Sequence, residues 1–76
     1  MPLYGFLEGD TIGLLVLAYR TDTVAELAEK LQSAAAVRVA PRAGLKVVFR
    51  ERVLDPAATL GQVGLAALDR FDVIAG

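Results

Sequence analysis

The chain has 76 residues, a net charge of −1, no cysteine and no histidine. This excludes disulfides, thiolate nucleophiles and the usual zinc ligands, and 8 Lys and Arg against 9 Asp and Glu argue against a protein that holds nucleic acid by charge. At 55% hydrophobic residues the sequence carries more apolar surface than so short a chain can hide, so some is expected outside, where contiguous apolar area marks a partner or self-association site.

In chain order, Leu3 to Leu7 (LYGFL) reads as a first strand, and Glu8-Gly9-Asp10 as a hairpin turn in which Gly9 supplies a positive φ. Thr11 to Tyr19 (TIGLLVLAY) is nearly continuous in apolar character and is expected to return as an antiparallel second strand. The apolar run Leu14 to Ala18 is far too short to cross a membrane. No charged segment leading into an apolar one stands at the start, as a secretory signal requires, so a cytoplasmic protein is expected. The period then changes. Thr23, followed three residues later by Glu26, fits a capping box, with hydroxyl and carboxylate each accepting from the other's backbone N–H. Val24, Leu27, Ala28, Leu31 and Ala35 recur as one apolar stripe of a helix over 24–36. Glu26 and Lys30 stand four apart, in the favourable order for pairing on its surface.

Ala40 to Gly44 (APRAG) is loop chemistry, because Pro41 removes a backbone donor and Gly44 frees φ. Leu45 to Arg50 (LKVVFR) predicts a strand with Leu45, Val47 and Phe49 on one face and Lys46, Val48 and Arg50 on the other. Arg52 to Leu54 forms a short return strand that Asp55-Pro56 ends. Ala58 to Leu65 (ATLGQVGL) supplies a tight helical turn or loop, and 70–75 the last strand, with Phe71 and Val73 inward and Asp72 and Ile74 outward. No linker, repeat or low-complexity segment interrupts the order, so residues 1–76 are expected to form a single domain.

These segments resemble ubiquitin. Asp22 to Leu31 (DTVAELAEKL) is similar to its helix entry, and Lys46 to Leu65 to the stretch that holds its third and fourth strands. Phe49, Leu54, Thr59-Leu60 and Leu65 are the shared markers there. Pro41-Arg42-Ala43-Gly44 resembles a step before the third strand in the bacterial YukD/EsaB family of ubiquitin-like proteins. Glu8-Gly9-Asp10, Ala28-Glu29-Lys30 and Arg38 to Gly44 (RVAPRAG) resemble TmoB, the small ubiquitin-like subunit of bacterial toluene monooxygenases. The resemblance implies an α+β fold of the ubiquitin-like β-grasp type. That is a mixed four- to five-stranded sheet wrapped on one helix, with the first and last strands adjacent and parallel.

The residues themselves do not equip an enzyme. Without His or Cys the remaining bases are carboxylates. Of these Glu8, Asp10 and Asp22 stand near one end of the domain, where turn and cap chemistry explains them. The glycines match neither a P-loop nor a dinucleotide fingerprint. No metal, no cofactor and no catalytic residue is expected. Surface recognition fits better. Lys46, Val48, Asp72 and Ile74 face outward on neighbouring strands, and in the ubiquitin fold this outer face is the usual docking patch, completed by an apolar residue of the first hairpin, here Leu7. Arg38 and Arg42 flank the Pro loop and would grip an acidic partner through their guanidinium forks. An exposed strand edge offers backbone pairing, so a homo-oligomer is a further expectation.

Three functions follow from the resemblance. The first is a bacterial protein modifier attached through Gly76, whose missing Cβ suits a carboxylate threaded into the narrow sites of activating and conjugating enzymes. Here Ala75-Gly76 follow the last strand directly, whereas ubiquitin carries a flexible diglycine tail. The alternatives are a non-catalytic TmoB-like subunit packed on the hydroxylase of a diiron aromatic monooxygenase, and a YukD/EsaB-like accessory of a type VII secretion complex. All three act by protein–protein interaction.

Overall fold

Alternation in the first segment sets the first strand: β1 spans Pro2–Leu7 and buries Leu3, Gly5 and Leu7, leaving Tyr4 and Phe6 on the opposite face. The computed structural model describes residues 1–75. Gly9 turns the chain with φ at 91°, and β2, Leu14–Leu17, returns antiparallel, pairing Leu3 with Val16 and Tyr4 with Leu15. This strand is shorter than the expected 11–19. The Asp10 carboxylate accepts from the Ile12 backbone at 3.3 Å, and a Cβ on Gly13 would come within 2.5 Å of the Phe6 ring. Turn chemistry and ring packing thus hold residues 10–13 out of the ladder.

Helix α1, Val24–Ala35, has both halves of the capping box at Thr23 and Glu26, and its buried residues are the expected stripe, Val24, Leu27, Ala28, Leu31 and Ala35. The expected Glu26–Lys30 pair does not form. The Glu26 carboxylate accepts from the Thr23 backbone N–H and hydroxyl, each at 3.0 Å, and Lys30 Nζ lies 2.7 Å from Asp22 instead. Cap geometry claims the carboxylate, and the lysine goes to the acid that precedes the helix.

Strand β3, Leu45–Phe49, and β4, Arg52–Val53, make a hairpin whose two connecting residues, Arg50 and Glu51, both hold positive φ, 51° and 66°. A short helix α2, Leu60–Val63, repeats the capping box with Thr59 and Gln62 and ends at Gly64 in the left-handed region, φ 82°. The two caps meet: Thr23 and Thr59 form a β-bridge, and the Leu60 amide donates to the Asp22 carbonyl at 2.9 Å. Strand β5, Arg70–Ala75, completes one sheet in the order β2-β1-β5-β3-β4, with β5 parallel to β1 and antiparallel to β3. First and last strands are therefore adjacent and parallel, as expected. Leu3, Leu27, Leu31, Leu60, Phe71 and Val73 are fully buried between the sheet and α1. Among the described residues no helix is long and apolar enough to cross a membrane.

Candidate docking surface

The sheet has one face against α1 and one open face. Lys46, Val48, Asp72 and Ile74 come together on the open face, because β3 and β5 pair Lys46 with Ile74 and Val48 with Asp72. Leu7 does not join them. It is 5% exposed in the core and pairs with Val73, which also points to the helix. The reason is parity: Leu3, Gly5 and Leu7 are the inward positions of β1, so its outward residues are Tyr4 and Phe6. The expected attachment residue, Gly76, lies outside the described residues.

The open face is most apolar at the other wing. Tyr4, Leu15 and Leu17 are 45%, 56% and 72% exposed, and the β1–β2 register sets Tyr4 beside Leu15 and Pro2 beside Leu17. Arg70 stands opposite Tyr4 in the sheet. Its guanidinium lies 4.1 Å from the centroid of the Phe6 ring and donates to Asp72 at 3.1 Å, so the charges at the centre of this face compensate one another. A run of leucines in β2 conceals the pattern in the sequence, since inward Val16 and outward Leu15 and Leu17 are equally apolar. Register alone separates them.

Arg38 and Arg42 do not extend freely toward a partner; each is bound within the chain. Arg38 forks onto Asp10, with Nε 3.1 Å from both carboxylate oxygens and one Nη 2.8 Å from Oδ2. Arg42 lies 3.4 Å from Glu8, and its backbone N–H donates to Gln32 at 2.9 Å. The two arginines thus lock the loop before β3 onto the β1–β2 turn. Hydrogen bonding from Arg38 holds the Asp10 carboxyl below the ordinary range, and Asp10 in turn raises Arg38. Lys30, aided by the Tyr19 backbone N–H, lowers Asp22 in the same way. The Glu8, Asp10 and Asp22 carboxylates are therefore used separately, and among the described residues no cluster of acids could hold a metal ion.

Sheet order, adjacent parallel terminal strands and a helix packed on one face define a ubiquitin-like β-grasp protein. Three solved structures share that fold. A chain of a toluene 4-monooxygenase HD complex with the inhibitor 4-bromobenzoate matches with a TM-score of 0.90 and 26% identity, covering 99% of this chain and 96% of that one. Ubiquitin of Caldiarchaeum subterraneum matches with a TM-score of 0.82 and 21% identity, over 100% and 92% of the two chains. A chain from a structure of ATBAG1 in complex with HSP70 matches at 0.81 and 12%, over 99% of this chain and 40% of that one. These last two show the fold alone. No curated protein matches the sequence. The family model described as toluene-4-monooxygenase system protein B, TmoB, matches residues 1–74. The chain belongs to that family.

Proposed function

We propose that the protein is a non-catalytic subunit of a multicomponent diiron aromatic monooxygenase and binds its hydroxylase in the cytoplasm by protein–protein contact. The observation that carries this reading is the family match over residues 1–74, supported by the likeness to a chain of the toluene 4-monooxygenase complex. A non-catalytic role is supported by the use of the perturbed carboxylates: Asp10 and Asp22 are held in ion pairs, the first with Arg38 between two loops and the second with Lys30 of α1. The iron chemistry would belong wholly to the hydroxylase. Family membership favours this reading over the modifier and over the secretion accessory. Attachment through Gly76 draws no support from the described residues.

Co-expression tests it. With a tag on a cognate hydroxylase chain, the 76-residue protein should co-purify in a fixed stoichiometric ratio and stay bound through gel filtration at high salt. Elution of the two as separate species at micromolar concentration would remove the reading.

A further inference from the structure

We propose that the β1–β2 wing of the open sheet face, extended by Leu68, is the surface that takes the hydroxylase; this rests on the subunit reading above. Tyr4, Leu15 and Leu17 are outward, exposed and adjacent by register. Leu68 adds an independent observation. It is 61% exposed and holds a left-handed backbone, φ 68°, which a leucine adopts only under strain. Its amide donates to the Pro2 carbonyl at 2.6 Å, and Pro2 is the cross-strand partner of Leu17. Positive φ is otherwise taken by glycines, Gly9, Gly44 and Gly64, and by the polar hairpin residues Arg50 and Glu51, so among the described residues Leu68 is the apolar side chain placed there. At Leu68 the chain keeps a large apolar side chain that strains the backbone and reaches solvent. The isolated fold gains little from such a residue, and a covering partner gains apolar contact.

Charge and area name the occupant. Arg70 and Asp72 bind each other, so the centre of the sheet face suits a neutral apolar surface, the character of permanent subunit contacts. At its outer edge the wing meets a charged rim: Leu15 and Leu17 line the groove between β2 and α1 together with Glu26, Glu29 and Lys30. A standard interface takes about 800 Å² from each partner, roughly a sixth of the 4592 Å² surface of this domain. A permanent partner must therefore cover most of one sheet face, and a face whose central charges, Arg70 and Asp72, are already paired allows that without stranding an unpaired ion, while the rim charges stay in water.

The test measures binding of purified variants to hydroxylase freed of this chain. Leu15→Glu with Leu17→Glu should weaken binding at least about thirtyfold, as loss of a buried hot spot does, with the circular dichroism spectrum unchanged. Leu68→Asn should weaken binding about tenfold while the melting temperature holds or rises, because asparagine accepts the left-handed backbone. Lys46→Glu on the other wing should change binding less than about threefold, as rim charges do. Wild-type affinity in both leucine variants, with the wild-type chain binding normally, overturns this proposal and leaves the subunit reading standing. A wild-type chain that fails to bind overturns both. If the isolated chain sediments as a dimer that Leu17→Glu dissociates, the wing is a contact between copies and the assignment to the hydroxylase is wrong.

Discussion

Replacing Gly5 by alanine should loosen the centre of the domain. Gly5 is the inward position between Leu3 and Leu7 on β1, and the space its side chain would take is occupied. A Cβ there would lie 2.7 Å from the tip of the Phe71 ring and 2.8 and 3.0 Å from the two methyls of Leu31. Both neighbours are fully buried, so they have no solvent to move into. Overpacking of this kind costs about 1–3 kcal/mol. In a domain of this size each kcal/mol shifts the melting temperature by about 4–8 °C, so a drop of roughly 5–20 °C is expected by circular dichroism. Leu31→Val removes part of the crowding, and the double variant should be more stable than the sum of the single changes predicts by about 0.5 kcal/mol or more. A melting temperature for Gly5→Ala within about 2 °C of wild type, or strict additivity with Leu31→Val, would refute the packing argument.

Thr23→Ala removes one side of the α1 capping box and should cost about 1 kcal/mol in urea unfolding, and Thr59→Ala should cost less because α2 is only Leu60–Val63. Asp10 and Asp22 both have lowered carboxyl pKa values in the folded chain. Below their ordinary value of 3.8 the unfolded chain takes up protons first, so stability is present above that pH and is lost as pH falls through the lower folded values. Melting temperatures recorded from neutral pH down to strong acid should fall in that window, and Asp10→Asn should flatten the fall; an unchanged profile in Asp10→Asn would contradict the Arg38 pairing.

Local signals were legible where they act over a few residues. The Thr23–Glu26 cap, the stripe of α1 and the inward Phe71 and Val73 all follow from spacing, because helix and strand periods are local properties. Leu7 is expected outward from the resemblance alone, whereas the parity of β1 turns Leu3, Gly5 and Leu7 inward, and the closeness of Phe71 and Leu31 explains the glycine in that row. Arg38 and Asp10 are 28 residues apart, so their fork depends on how the loop before β3 returns to the first turn. The open wing was hidden for a different reason: β2 is apolar on both faces, and only its pairing with β1 separates Val16 from Leu15 and Leu17. Nothing local marks Leu68 as left-handed.

The central claim is that this domain serves a hydroxylase without doing chemistry itself. Its most direct test is aromatic hydroxylation by the hydroxylase prepared with and without the chain, with the remaining components of the monooxygenase and reductant supplied in excess. The account predicts no turnover by the chain alone, a large loss of turnover in the hydroxylase that lacks it, and recovery when the purified chain is added back. Equal turnover with and without the chain would contradict it.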